Sequence, residues 1–430
     1  MMHADRAREG DISIERVHVA DTCTACGTCF RTCPAVQRLD FAGLSPKDVQ
    51  AQVRAYLAGG DPTEAVFRRA FSCMGCYGCC EGVCPQGLDV MHVNEIVKAL
   101  YRRSGLDVTA YTPARDPRAP QRVLASMQVT PEDYRRVFTP SPPGPAGTVF
   151  FPGCNVYAQP ARLLEALDVL ALVDGDVAFL PGLDHCCGDT PFFMGDHDEG
   201  TRAADDLVAA LGAYEADTVV LWCPTCLCRM NTDTLTTERL PFRTVSLAQF
   251  LTERLDRLDL AEPVPVRATL HEACKAAFTG LDLEGPRPLL SGIPGLDLVE
   301  MPRSGAKTVC CGSGAFTWFP SIGAEVRDAR LEEARETGAD LLIDVCHYCH
   351  HVFLPDAGRF DIMVENWIHV LARAAGVARN DDYAVWRTWG DAERILALAD
   401  DAIAASPFDR ETIATVMRSH FSLTPQMVEE

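Results

Sequence analysis

Apolar residues along this chain follow two periods, and the change from one to the other divides it. In the first hundred residues the spacing is helical. Val49, Val53 and Leu57 form one stripe, preceded by Ser45-Pro46-Lys47-Asp48, a capping box with proline in the first turn. Gly59-Gly60 stops that helix. Val90, Val93, Ile96, Val97, Leu100 and Tyr101 repeat the pattern up to Gly105. Both stripes read as packing faces. Residues 1–22 are polar and read as loosely held. From Thr148 short apolar runs alternate with helical ones. Segments 149–151, 177–180 and 219–222 read as strands, and 161–172 and 202–214 as helices. That alternation predicts a parallel α/β layer. Between the two textures, residues 106–147 are rich in proline and arginine, end in TPSPPGPAG and read as a linker. Residues 381–430 read as helical, with Tyr383, Trp386 and Trp389 near their start, and suit a cap or docking surface.

Cysteines are laid over this pattern in fixed register. Cys154 is followed after 31 residues by Cys186-Cys187-Gly188, and after 34 more by Cys223-Pro224-Thr225-Cys226. Cys274 is followed after 35 residues by Cys310-Cys311-Gly312, and after 33 more by Cys346-His347-Tyr348-Cys349. The second set begins 120 residues after the first, so the chain contains an internal repeat. Each cysteine group lies near the end of an expected strand, where open α/β sheets build their sites.

Upstream stand two further motifs. Cys23-x2-Cys26-x2-Cys29-x3-Cys33-Pro34 has the spacing of a ferredoxin-type [4Fe-4S] site. Thiolates are soft ligands suited to such clusters. Cys73-x2-Cys76-x2-Cys79-Cys80-x3-Cys84-Pro85 has one cysteine too many. Cys79 keeps the x2 spacing and Cys80 the x3-Cys-Pro spacing. Cys80 is the preferred ligand, because it stands one helical turn before Cys84 as Cys29 does before Cys33, which leaves Cys79 a small buried thiol. Crossed ligation assigns Cys23, Cys26, Cys29 and Cys84 to one cubane cluster and Cys33, Cys73, Cys76 and Cys80 to the other.

Charge and composition narrow the function. The chain has 430 residues, 47% hydrophobic, with a formal net charge of -21, which is globular composition and argues against nucleic acid as a partner. No secretory leader and no apolar run long enough to span a bilayer is visible, so a cytoplasmic location is expected. Twenty cysteines in that compartment point to metal or redox chemistry rather than disulfides. No GxGxxG after a strand and no P-loop occurs, so no nucleotide cofactor of the chain's own is expected.

Two ferredoxin motifs followed by the duplicated Cys…Cys-Cys-Gly…Cys-x2-Cys pattern resemble the iron–sulfur subunits of heterodisulfide reductase, in the form that fuses a ferredoxin-like unit to two CCG domains. Iron–sulfur subunits of glycolate oxidase and anaerobic glycerol-3-phosphate dehydrogenase are similar in plan. The resemblance covers residues 23–350. It implies an α+β protein: a mostly helical ferredoxin-like domain over 1–105, the linker 106–147, CCG domains over 148–262 and 263–375, and a helical extension over 376–430. It also implies a non-cubane [4Fe-4S] cluster on each five-cysteine set: Cys154, Cys186, Cys187, Cys223 and Cys226, then Cys274, Cys310, Cys311, Cys346 and Cys349. With the two cubanes that makes four clusters. Zinc on four of the five cysteines is the alternative for a CCG domain.

In the family a disulfide is cleaved between the two CCG clusters by single-electron steps. These ten cysteines are accordingly the expected catalytic set, and Cys23, Cys26, Cys29, Cys33, Cys73, Cys76, Cys79, Cys80 and Cys84 the electron-entry set. Relatives commonly carry histidine after the first cysteine of the second CCG domain, where this chain has Lys275; His271, His347 and His350 are the candidates to deliver protons instead. Cys228 lies outside the pattern and reads as a packed thiol. The expected partner is a flavin-containing electron-transfer or dehydrogenase protein. Beyond it a membrane-anchor or quinone-reactive partner is expected, with a peripheral place on the inner membrane face. Two other functions stay open: an electron relay between a flavoprotein dehydrogenase and a quinone or other acceptor, without thiol chemistry, and a non-catalytic assembly role stabilised by zinc or clusters.

Overall fold

Two four-stranded sheets built to one plan form the centre of the protein. The computed structural model describes residues 12–80, 82–107, 109–232 and 240–422; the first eleven residues and the end of the C-terminal extension lie outside these. The first sheet holds β1 (Thr148–Phe151), β2 (Ala178–Phe179), β3 (Thr218–Leu221) and β4 (Arg243–Ser246), all parallel, in the order β2-β1-β3-β4. The second holds β5 (Val266–His271), β6 (Leu296–Val299), β7 (Leu341–Asp344) and β8 (Met363–Asn366), in the order β6-β5-β7-β8. The sequence repeat is therefore a repeat of topology. β1, β3 and β7 are apolar on both faces, with Phe150, Phe151, Val219, Val220, Leu342 and Ile343 fully buried, as parallel strands between helix layers are.

In each sheet the connections leave to opposite sides between the two central strands. Ligand sites form outside the carboxyl ends of strands at such a switch point. β1 runs out two residues before Cys154 and β3 one residue before Cys223; β5 ends before Cys274 and β7 before Cys346. The topology thus delivers the cysteines of each repeat to one crevice.

The N-terminal region packs helices Ile12–Thr22, Pro46–Leu57, Glu64–Phe71 and Val90–Arg103 around Val53, Leu57, Val66, Phe71, Ile96 and Val97, with the cysteine motifs in the loops between them. The capping box forms: the Asp48 backbone N–H donates to Ser45 Oγ (3.3 Å) and the Ser45 N–H to Asp48 Oδ2 (3.1 Å). The architecture is α+β, as expected. Two local expectations give way. Residues 12–22 are a packed helix, because Ile12, Val19 and Ala20 share a buried face. The stretch 106–147 carries helices Pro120–Gln128 and Pro131–Phe138, with Val123, Leu124 and Val137 fully buried. Prolines that suggest an extended tether stand here at the first helical position, where the missing N–H costs nothing. Gln128 Nε2 donates to the Ala158 carbonyl at 3.0 Å, fixing this wedge to the loop after Cys154.

The C-terminal extension caps the second repeat. Helices Asp382–Trp389 and Arg410–Phe421 pack their Tyr383, Trp386, Met417 and Phe421 onto the core that contains Phe353 and Leu354.

Candidate metal centres

The two ferredoxin motifs share a backbone trace. Left-handed conformations occur at Ala25 (φ 53°) and Gly27 (φ 72°) in the first, and at the equivalent Gly75 (φ 63°) and Tyr77 (φ 67°) in the second. The Ala25 N–H points at Cys23 Sγ (3.4 Å) and the Gly75 N–H at Cys73 Sγ (3.5 Å). By this equivalence Cys79 stands where Cys29 stands. Its thiol is a charge neighbour of Cys33, Cys73 and Cys76. Cys80 turns elsewhere: its thiol donates to Asp89 Oδ1 (3.1 Å) and accepts from the Met91 N–H (3.3 Å), locking the start of helix Val90–Arg103. Cys79 thus shares the surroundings of the other motif cysteines and Cys80 does not. The turn from Cys80 to Cys84 does close, with the Cys84 N–H donating to the Cys80 carbonyl at 3.3 Å through a left-handed Gly82 (φ 68°), but the Cys80 sulfur is taken up by Asp89 and Met91.

Cys23, Cys26 and Cys29 line a cavity of about 30 Å³ together with Cys84 from the second motif. Gln50 crosses between Cys23 and Cys29, 3.7 Å from each sulfur. The structure thus brings these four cysteines to one place. Burial pushes the Cys33 thiol up to about 12.

Each CCG set forms a chain of contacts with the same connectivity. In the first, the Cys186 thiol neighbours those of Cys154 and Cys187 within hydrogen-bonding reach, Cys187 neighbours Cys226, and Cys226 neighbours Cys223, all as free thiols. In the second, Cys310 neighbours Cys274 and Cys311, Cys311 neighbours Cys349, and Cys349 neighbours Cys346 in the same way. The glycine that completes each motif is required by close approach. Gly188 (φ +81°) and Gly312 (φ +90°) are left-handed, and a Cβ would meet the carbonyl oxygen of Gly200 at 2.3 Å or of Gly323 at 2.5 Å. Five sulfurs per crevice, with no carboxylate in their contact chain, suit iron–sulfur clusters in donor number and softness.

The domains meet at their cysteines. Cys76 of the second ferredoxin motif hydrogen-bonds Cys310 of the second CCG set. Beside it Gly314 touches Met74, where a Cβ would fall 2.7 Å from the Met74 carbonyl oxygen. A buried ion network joins all three domains. Glu95, 1% exposed, receives both terminal nitrogens of Arg229. Arg229 Nε donates to Asp189 Oδ1 at 2.8 Å, and Lys275 Nζ to the same oxygen at 2.5 Å. Asp189 is half-buried, and although desolvation pushes its carboxyl up, Lys275 and Arg229 hold it below the usual range. Lys275, the departure from the family pattern, is thus an ion-pair partner of the first CCG loop.

Of the three candidate histidines, His271 reaches the cysteines. Arg330 Nε donates to its Nδ1 at 3.0 Å, so the proton sits on Nε2. His271 neighbours the Cys311 thiol, and the ligand atoms of His271, Cys311 and Cys349 all lie within 4.8 Å of one another. Zinc would also accept that trio. His347 packs edge-on against Trp222 at 4.5 Å, and burial lowers it to about 3. Burial pushes His350 down too, but Asp344, 2.7 Å from its Nδ1, overrides this and holds it at about 9. Cys228 is buried beside Thr232, as a packed thiol is.

A cavity of about 250 Å³ opens onto Cys154 and Cys186. His185, Tyr111, Arg115 and Tyr348 also line it. Tyr348 comes from the second CCG motif, so both repeats build this cavity. Sequence reasoning left Tyr348 and Tyr111 unmarked, because only the folded topology brings them to Cys154. No helix among the described residues is long and apolar enough to cross a membrane.

Residues 20–89 match the 4Fe-4S dicluster domain, and residues 148–231 and 268–353 match the Cysteine-rich domain family, CCG. The chain is 26% identical over 391 residues to one of the dihydromethanophenazine:CoB--CoM heterodisulfide reductase proteins of Methanosarcina barkeri, covering 83% of this chain and 94% of that protein. It is 28% identical to one of the fumarate reductase (CoM/CoB) proteins of Methanothermobacter marburgensis, over 82% of this chain and 72% of that protein. It is 24% identical to a probable glycolate oxidase iron-sulfur subunit of Bacillus subtilis, over 75% of this chain and 85% of that protein.

Proposed function

From a chain that joins a 4Fe-4S dicluster domain to two cysteine-rich domains, we propose an iron–sulfur electron-transfer subunit of a heterodisulfide-reductase-type oxidoreductase, with a disulfide reduced at the first CCG crevice. Cys23, Cys26, Cys29 and Cys84 hold one cubane cluster, and Cys33, Cys73, Cys76 and Cys79 the other. The two five-cysteine sets hold the non-cubane clusters. When bound, these groups supply one-electron transfer between ferredoxin and CCG domains.

The observation that carries this reading is the cavity at Cys154 and Cys186, large enough for a small organic molecule and open to the sulfurs. Around it the chain's own residues bind and orient. Tyr348 lines the same space, and Arg115 is held there by Glu199 at 2.9 Å. Cleaving a disulfide to two thiols takes two electrons and two protons. The contact between Cys76 and Cys310 gives the electrons a short way in. With no nucleotide fingerprint, the chain receives them from a flavin-containing partner, at the inner membrane face where that partner is membrane-linked.

The likeness to the glycolate oxidase iron-sulfur subunit favours a second reading, in which the same cysteines relay electrons from a flavoprotein dehydrogenase to an acceptor without thiol chemistry. EPR of the oxidised, anaerobic protein with added thiol separates the two. A new thiol-dependent paramagnetic signal is expected if disulfide chemistry occurs here. A full iron complement that responds to no thiol would leave the relay.

A further inference from the structure

Arg69 lies on helix Glu64–Phe71, between the cysteines of the two ferredoxin motifs, and is 1% exposed. Its guanidinium sits over the Phe30 ring, 5.2 Å from the centroid. The charges acting on it are those of Cys29, Cys33, Cys79 and Cys73. It approaches the Cys29 and Cys79 thiols most closely, one from each motif. None of its three nitrogens meets an oxygen or nitrogen acceptor among the described residues, so the Cys29 and Cys79 sulfurs are the hydrogen-bond partners within its reach. Arginine carries five N–H donors and does not lose its charge inside proteins. Burying that group without an acceptor is strongly unfavourable. Its place is explained only if strong acceptors and negative charge stand beside it, and the groups that stand there are cysteine sulfurs. A [4Fe-4S] group on four thiolates is anionic in both common redox states, and more so when reduced.

We propose that Arg69 is the shared counter-cation of the two cubane sites, donating hydrogen bonds to cysteine sulfurs of both sets and raising the reduction potentials of both. This rests on the two-cubane reading given above. The sign follows from charge. A fixed cation stabilises the more negative reduced state more than the oxidised one, and hydrogen bonds to the sulfurs act in the same direction. Placed between the sets, one guanidinium draws the two potentials up together, which keeps electron exchange between them close to level. Arg69 is a positioning and tuning residue, not a catalytic one.

The test is an anaerobic redox titration of the full chain followed by EPR, with iron and sulfide counted for each protein. Arg69→Met is expected to keep the N-terminal iron and to lower both cubane midpoints. At the wild-type midpoint the reduced-to-oxidised ratio falls by at least tenfold, about 59 mV for a one-electron couple. Arg69→Lys keeps the charge and loses the planar fork, so its midpoints fall between the two. Iron-replete Arg69→Met with both ratios within twofold of wild type overturns the proposal, and a shift confined to one cubane overturns the sharing. If Arg69→Met loses iron, Arg69→Lys decides: lowered midpoints uphold the role of the fork, and unchanged ones overturn it. Wild-type protein without two reducible cubane signals would overturn the underlying reading itself, a separate failure.

Discussion

Replacing Arg229 with methionine removes the central link of the ion network that joins the ferredoxin helix to both CCG domains. Among the described residues Glu95 then keeps the His92 ring, 3.4 Å away, as its hydrogen-bond partner and Lys98 as a more distant charge, at a site that is 1% exposed. Asp189 keeps Lys275 at 2.5 Å, so its charge is still met. Breaking a buried pair by removing one partner costs about 3–5 kcal/mol. With Asp189 still paired, the low end applies, about 3 kcal/mol. The place to measure it is hydrogen exchange of the amides in helix Val90–Arg103, which reports local opening. The expected result is more than 100-fold faster exchange at pH 7, since 1.36 kcal/mol is tenfold. The pH dependence has a definite sign. Burial pushes the Glu95 carboxyl up, but Arg229 and His92 override it and hold it well below the usual range. Its stabilising contribution is therefore complete above the ordinary carboxylate value near 4.3 and is lost as pH falls through the depressed folded value. In Arg229→Met the same carboxyl rises and protonates readily, so the gap between variant and wild type narrows as pH is lowered toward 5. Adding Glu95→Gln to the variant removes the stranded charge and is expected to recover about 2 kcal/mol. Exchange within threefold of wild type, or no recovery in the double variant, would refute the reasoning.

Two further outcomes follow from particular contacts. Cys79→Ser is expected to lose about four irons per chain while Cys80→Ala keeps them; iron analysis of the two proteins showing the reverse would restore Cys80 as the ligand. Gly314→Val drives a Cβ toward the Met74 carbonyl, 2.7 Å away, and is expected to destabilise the interface by about 1–3 kcal/mol. Iron content should hold while rapid-mixing experiments show slower electron exchange between ferredoxin and CCG sites. Unchanged exchange would mean that electrons do not cross there.

The repeat was legible because cysteine register survives where ordinary side chains drift, and 149–151 and 219–222 proved to be the paired central strands of the first sheet. Strand ends told where the cysteines would gather. What sequence spacing did not carry is direction in space. Cys79 and Cys80 are neighbours in sequence, and only the left-handed turns at Tyr77 and Gly82 decide which sulfur faces Cys33. Pro120 and Pro131 read as tether residues because proline marks both extended chain and helix starts, and the choice is made by the burial of Val123, Leu124 and Val137. Tyr348 and the Glu95–Arg229–Asp189–Lys275 network lie far in sequence from the groups they meet, so no local pattern marks them, and Arg69 stands close to Cys73 but reaches Cys29 only through the fold.

The most direct measurement is the metal content of the anaerobically purified protein, with iron, acid-labile sulfide and zinc determined on one sample. Four clusters predict about sixteen irons and about as many sulfides per chain, with zinc negligible. About eight irons with zinc making up the remainder would mean that the CCG cysteines hold a structural ion, and the electron path into the cavity at Cys154 and Cys186 would have no carrier.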